Sequence, residues 1–128
     1  MITAKLNNYR QAPRKVRLVI DLIRGKNVVA EINHLMFVPK KASAPIKKLL
    51  DSAIANAVHN FNIQPENLFV KEISVNQGPI LKRSMPRARG RAFPIHKHTS
   101  HVNLVLAEKG ITAPKKAAKA KVAKVNKK

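Results

Sequence analysis

Gly78-Pro-Ile-Leu-Lys-Arg-Ser-Met-Pro-Arg-Ala-Arg-Gly-Arg-Ala-Phe-Pro-Ile-His-Lys-His-Thr-Ser-His101 sits inside an interval, between Glu72 and Glu108, that holds no other acidic residue. Five cations, Lys82, Arg83, Arg87, Arg89 and Arg91, fall within ten positions of it. With few apolar side chains to bury and no carboxylate to offset the repulsion, such a segment cannot build a core of its own. Its composition suits contact with a polyanion.

The flanks decide its shape. Residues 68–75 are β-branched and aromatic enough for a strand, although Lys71 shares a face with Phe69, Ile73 and Val75. Val102, Leu104 and Leu106 alternate with Asn103 and Val105, which predicts a further strand ending near Ala107. The polar stretch between them, about 25 residues, is implausible as an ordinary loop. An extended hairpin over 78–98 resolves the difficulty. Both strands then run beyond the sheet and turn near 86–90; arms of about ten residues, at roughly 3.3 Å each, reach about 30 Å. That exceeds the radius of gyration of roughly 13 Å for a domain of about 100 residues, so the basic segment leaves the globule. Pro79, Pro86 and Pro94 stiffen the arms and prevent a regular ladder throughout, while Gly90 permits close backbone approach.

Upstream, Ile2, Ala4 and Leu6 alternate with polar residues as a short edge strand that Asn7 and Asn8 interrupt. Pro13 suits a first helical turn, and Val16, Val19, Ile20 and Ile23 carry a helix over 13–24, with Gly25 supplying the left-handed position after it. Asn27 caps a second helix that buries Val28, Ile32, Leu35 and Met36 and stops before Pro39. A third helix starts between 40 and 44 and presents Ile46, Leu49, Leu50, Ala53, Ile54, Ala57, Val58 and Phe61 as one wide stripe. The Lys/Ala run over 109–128 predicts a disordered basic tail. The expectation is one α+β domain over 1–108, including the hairpin, followed by that tail.

The formal net charge of +20, from 26 Lys and Arg against 6 Asp and Glu, is far more than solubility needs and points to an anionic partner. Arginine among Gly, Pro and Ala, without a Trp- or Leu-rich face, favours nucleic acid over membrane, and no run approaches the roughly 18 residues of a spanning helix. Planar guanidinium groups fork onto phosphates and stack on unpaired bases, which suits structured RNA. An architectural DNA-binding protein with arginines in a minor groove is the competing reading. A cationic membrane-surface protein is a third, but the tail offers only Val122 and Val125 as an apolar face.

The chain has no cysteine, which removes disulfides and thiolate metal sites and is compatible with a reducing compartment. Neither a signal peptide nor a transit segment is visible, so a cytoplasmic product is expected; a processed organellar protein reads the same way. His96, His98 and His101 lack a nearby Cys, Asp or Glu to complete a zinc site, so hydrogen bonding and stacking on RNA is preferred, with His101 also packing where the hairpin re-enters the sheet. No metal or cofactor is expected. Arg14, Arg17 and Arg24 share a helical face with Asp21, which reads either as a solvated face with weak ion pairs or as a phosphate contact. Lys40, Lys41, Lys47 and Lys48 lie where the third helix begins and its dipole favours anions, either as a second RNA face or as solubilising charge. The six carboxylates, Asp21, Glu31, Asp51, Glu66, Glu72 and Glu108, show no paired or ligand spacing, and no phosphate loop or nucleophile motif appears. An enzyme is not expected.

At Gly78-Pro79, Lys82-Arg83, Met85-Pro86-Arg87-Ala88-x-Gly90-Arg91-Ala92 and Ile95-x-Lys97-x-Thr99-Ser100-His101, the chain resembles the ribosomal protein twenty-two family of the large subunit. The likeness extends to Pro13-Arg14-Lys15-Val16-Arg17-Leu18-Val19, Leu22-Ile23-Arg24-Gly25-Lys26 and Ser52-Ala53-Ile54-Ala55-Asn56-Ala57, and covers about residues 2–107. The resemblance implies three helices packed on a three-stranded antiparallel sheet, and a long protruding β-hairpin that reaches through large-subunit ribosomal RNA to the nascent-peptide exit tunnel. It also implies early RNA binding in assembly, neighbouring ribosomal proteins as partners, and a macrolide-response region at Leu81-Lys82-Arg83 and the tip. His98 stands where the family commonly has arginine, exchanging a permanent charge for a titratable ring.

Residue reading and resemblance together nominate Arg14, Lys15, Arg17, Arg24, Lys26, Lys40, Lys41, Lys82, Arg83, Arg87, Arg89, Arg91, Lys97, His98, Thr99, Ser100 and His101 as RNA-binding. The resemblance assigns Leu81, Met85, Pro86, Arg87, Ala88, Arg89 and Gly90 to the tunnel-lining hairpin. Neither membrane insertion nor a homo-oligomer is expected.

Overall fold

The computed structural model describes residues 2–108, so the expected disordered tail over 109–128 lies outside the described residues. Strand β1 (Ile2–Tyr9) is followed by helices α1 (Pro13–Ile23), α2 (Val28–Phe37) and α3 (Ser43–Phe61), then by strands β2 (Leu68–Gln77), β3 (Leu81–Pro86), β4 (Ala92–Lys97) and β5 (Ser100–Glu108). The main sheet is antiparallel with order β1-β5-β2, and β3 pairs only with β4 in a separate two-stranded ribbon. The α+β class and the three helices are as the sequence predicts.

Each helix follows from its residues. In α1, Pro13 occupies the first turn and Val16, Val19, Ile20 and Ile23 form the buried stripe. The helix stops at Ile23 because Arg24 is already extended and Gly25, at φ +75°, turns the chain toward β2. There Gly25 N–H donates to the Val70 carbonyl and Val70 N–H to the Lys26 carbonyl, both at 3.0 Å. Asn27 caps α2 as expected, its Oδ1 accepting from Val29 N–H at 3.2 Å. Its buried face is Val28, Glu31 and Leu35 rather than one reaching Met36, which is 57% exposed. Glu31 is tolerated inside because Lys26 Nζ lies 3.4 Å and His34 Nδ1 3.2 Å from its oxygens. The α3 stripe is buried from Ile46 to Ala57, but Val58 and Phe61 in the last turn stay half exposed.

Helix α1 packs on β2, and α3 packs on β1 and β5, with α2 beside α3. Between these layers sits one core: Ile2 and Ala4 of β1, Leu68, Val70, Ile73 and Val75 of β2, and Val102, Leu104 and Leu106 of β5 meet the buried helix stripes. Asn7 and Asn8 interrupt β1 as the sequence predicts, and they do so by a bulge: the register shifts between Leu6 and Tyr9, with Asn8 at φ +55°, and Tyr9 re-pairs with Ser100. The imperfect alternation of β2 also has a physical cause. A bulge between Val70 and Glu72 leaves Lys71 and Glu72 both outside and resets the phase, so Ile73 and Val75 join Leu68 and Val70 on the core face while Lys71 and Phe69 do not.

The outer edge of β2 is tied to α1 and the residues just after it. Beyond the Val70 bonds, Arg24 Nη2 donates to the Ile73 carbonyl at 3.3 Å and Arg17 Nη2 to the Val75 carbonyl at 3.1 Å.

The ribbon pairs Leu81 with Lys97 through to Pro86 with Ala92, so six residues of each arm of about ten are paired, over about 20 Å. Pro86 and Pro94 do not break this ladder: Pro94 opposes Ser84 and Pro86 opposes Ala92 within it. In a two-stranded ribbon each strand has a free edge, so a residue without N–H is accommodated where that edge faces out. The discontinuity falls at the root, around Pro79, where residues 78–80 face only His98 and Thr99 between the Gln77–Ser100 and Leu81–Lys97 pairs.

Candidate nucleic-acid interface

The root is held by a small set of interlocking contacts. Gly78 N–H donates to the Thr99 carbonyl at 2.9 Å, and Thr99 Oγ1 donates to the Pro79 carbonyl at 2.6 Å. A Cβ on Gly78 would stand 2.5 Å from Thr99 Oγ1 and 3.0 Å from His101 Nε2, so only glycine fits without displacement. On its other side the His101 ring accepts the Asn8 N–H at Nδ1, 3.1 Å away, and thereby supports the bulged end of β1. Thr99 and Ser100 are buried, and Ser100 Oγ has no hydrogen-bond partner among the described residues.

Beside this root opens a cleft of about 490 Å³ lined by Arg10, Gln11, Ala12, Lys15, Lys41, Leu81, Arg83, Lys97, His98 and Thr99. Five of its side chains are permanent cations at neutral pH, and no ion pair among the described residues includes any of them. Tyr9 fixes one wall. Its hydroxyl donates to Gln11 Oε1 at 2.7 Å and lies 3.3 Å from the Lys41 carbonyl, joining the end of β1 to the α2–α3 connection. Burial pushes the Tyr9 phenol above its ordinary pKa. The N-terminus of α1, with no acidic residue in its first turn, faces the same cleft through Ala12 and Lys15.

At the far end the ribbon closes through a tight turn over Ala88–Gly90. Arg89 at φ +58° and Gly90 at φ +69° are both left-handed, and Arg87 N–H donates to the Arg91 carbonyl at 2.8 Å. The Arg87 guanidinium lies over the Phe93 ring, 5.8 Å from its centre, which orients a cation at the tip. Every residue of β3 and β4 except the half-buried Leu81 is exposed, including the apolar Met85, Phe93 and Ile95.

The family model described as Ribosomal protein L22p/L17e matches residues 4–107, nearly all of the described chain. The chain belongs to that family. Proteins named large ribosomal subunit protein uL22 are similar to it in several bacteria. The one from Acholeplasma laidlawii strain PG-8A is 59% identical over 100 residues, covering 78% of this chain and 90% of the relative. Those from Lactobacillus gasseri and Deinococcus radiodurans are 53% and 54% identical, covering 83% and 79% of this chain and 91% and 75% of the relatives. This L22p/L17e family member is therefore a large-subunit ribosomal protein of bacterial type, a structural component of the cytoplasmic ribosome and not an enzyme.

Within the family member, the nominated basic residues and His98 separate into four groups. Lys15, Lys41, Arg83, Lys97 and His98 converge on the root cleft; Lys82, Arg87, Arg89 and Arg91 stand exposed along the ribbon and tip. Arg14 and Lys40 are exposed elsewhere on the globule. Arg17 and Arg24 are committed to β2 carbonyls, Arg24 also to Asp21 at 3.3 Å, and Lys26 to Glu31. Lys48 departs from Lys41 and lines a separate hollow with Lys5.

Thr99 and Ser100 are inside the root rather than on an exposed RNA face, while His101 packs where the hairpin re-enters the sheet, as expected, and is bonded to the backbone of β1. Leu81, grouped by resemblance with the tunnel-lining tip, begins the ribbon at its opposite end, paired with Lys97. Arg10 was missing from the nominated set although it lines the cleft. No periodic or motif signal marks it; its position after the β1 bulge is what turns it there.

Proposed function

We propose that this chain binds large-subunit ribosomal RNA, supports the folding of that RNA during assembly, and lines the nascent-peptide exit tunnel with residues 85–90. The observation that carries this reading is the ribbon itself: twelve residues that, among the described residues, pair only with each other, are exposed apart from the half-buried Leu81, hold no acidic group and carry Lys82, Arg83 and Lys97, with Arg87, Arg89 and Arg91 in the turn that joins them. A free protein gains nothing from ordering such an element outside its core. Threaded between RNA helices, its cations neutralise phosphates, and its exposed Met85, Phe93 and Ile95 find bases or sugars to pack on. The root cleft and the exposed α1 face with Arg14 extend the same surface onto the globule, and neighbouring ribosomal proteins would meet the remainder.

Sedimentation of a tagged chain in a lysate at moderate salt tests the first part. Recovery with large subunits is expected, and exclusive recovery with nucleoid DNA or membrane would overturn it. A photo-crosslinker at Arg89 tests the tunnel assignment, with capture of a stalled nascent peptide expected. Crosslinks to RNA alone, across several stalled peptides, would remove the tip from the tunnel wall.

A further inference from the structure

The root cleft is assembled from two bodies. Arg10, Lys15 and Lys41 belong to the globule, whereas Arg83 and Lys97 belong to the ribbon. Between the two bodies the sheet ladder is interrupted over 78–80, and the Gly78–Thr99 and Thr99–Pro79 hydrogen bonds secure the passage. On the globule wall the Tyr9 hydroxyl, bonded to Gln11, also lies 3.3 Å from the Lys41 carbonyl, so the segments carrying Arg10 and Lys41 meet there. Among the described residues no side chain of the ribbon bonds to the globule; there the Arg83 guanidinium donates to its neighbour's carbonyl, that of Lys82, at 2.7 Å.

We infer that the cleft is an RNA backbone-phosphate site, and that filling it clamps the ribbon onto the globule in one orientation. The inference rests on the RNA-binding reading above and adds where one phosphate run sits and what it does. Without an anion, like charges on the two walls push the ribbon away from the globule, screened only by salt. Phosphates between the walls reverse that sign. A closed ribbon offers all five cations to the ligand and a swung-out ribbon only the three on the globule, so the ligand binds the closed arrangement more tightly and shifts the population toward it. A volume of about 490 Å³ admits nucleotide-sized groups, and Leu81 with Ala12 gives a sugar an apolar wall. His98 at the rim adds a ring that hydrogen-bonds or stacks.

Since the chain contains no cysteine, Ala55→Cys on α3 and Ala88→Cys at the tip, both exposed, accept a unique pair of spin labels. The distance distribution between them is measured with and without a short oligouridylate, whose binding is followed separately by anisotropy. Narrowing on RNA binding is expected. Arg10→Gln with Lys41→Gln should abolish the narrowing, keep the melting temperature, and reduce the slope of log affinity against log salt by about 1.4, the loss of two phosphate contacts on a single strand. The charge-matched pair Lys5→Gln with Lys48→Gln should leave the narrowing intact. If RNA binds and the distribution stays unchanged, or the control pair abolishes the narrowing equally, the clamp is wrong while RNA binding stands. If neither oligouridylate nor ribosomal RNA binds, the underlying reading fails and the clamp with it.

Discussion

Gly78→Ala is expected to loosen the root measurably. The backbone there is not in the left-handed region, so alanine meets no conformational barrier; the obstacle is the space its methyl needs. A Cβ lands 2.5 Å from Thr99 Oγ1 and 3.0 Å from His101 Nε2. Thr99 is 3% exposed, β-branched and bonded to the Pro79 carbonyl, so its oxygen cannot swing aside without surrendering that bond. Overpacking of this kind costs about 1–3 kcal/mol. Removing glycine's freedom from the unfolded chain returns about 0.4–1 kcal/mol. Because Thr99 cannot yield, the overpacking cost falls in the upper half of its range, about 2–3 kcal/mol, and the net loss of about 1–2.6 kcal/mol lowers the melting temperature by about 4–20 °C in a domain of this size.

Melting followed by circular dichroism, with denaturant titration to confirm an unchanged m-value, measures the loss. Gly90→Ala is the control: nothing lies within 4 Å of its Cβ, and its penalty, from φ +69°, falls on the exposed tip rather than on the core. Adding Thr99→Ala to Gly78→Ala clears the obstructing oxygen, and the two changes should then be non-additive by about 1 kcal/mol. Full additivity, or a Gly78→Ala melting point within about 1 °C of the parent, would refute the packing argument.

Arg17→Lys and Arg24→Lys keep the charge but lose the planar fork on the β2 carbonyls; together they should cost about 1–2 kcal/mol of stability in denaturant while leaving the salt dependence of RNA binding unchanged. A lower salt slope with unaltered stability would return both to the RNA face. Deleting 82–91 removes exposed residues that bury little apolar area, so the globule should still melt cooperatively with native circular dichroism. An unfolded deletion mutant would show that the ribbon supports the core. The raised Tyr9 pKa means the folded state holds that proton more tightly. Its contribution is complete below the ordinary tyrosine value of about 10 and is lost as pH rises through the folded value, so the denaturation midpoint should fall more steeply above about pH 10 than in Tyr9→Phe. Parallel curves would show that burial of the phenol has no bearing on stability.

The helices were legible because each reports on itself: the α3 stripe needs only its own spacing, and Asn27 its own cap. The bulges at Asn8 and Lys71 were not, because a bulge is a relation between two strands, and the sequence of one strand does not show its partner's register. The ribbon was legible from a length argument and from charge, although that argument did not show that only six residues of each arm would pair. For the interface the division is sharper. The tip cations are contiguous and could be read directly, whereas the cleft gathers positions 10, 15, 41, 83 and 97, which only the fold brings together. The burial of Thr99 and Ser100 is not legible either, because polar side chains ordinarily face outward and only the narrow root encloses these two. Arg17 and Arg24 stay exposed while each bonds a β2 carbonyl, a pairing that depends on where α1 lies against the sheet.

The ties along the rim of β2 also bear on the time this chain spends before it meets RNA. A strand at the end of a sheet is a template onto which another chain can add by backbone pairing. Here the Gly25–Lys26 backbone takes up Val70, and the two guanidinium groups occupy the Ile73 and Val75 carbonyls. An incoming strand on that side finds its acceptors taken and two positive charges in its path. The same arginines that brace helix to sheet thus also cover the β2 edge against backbone pairing by another chain.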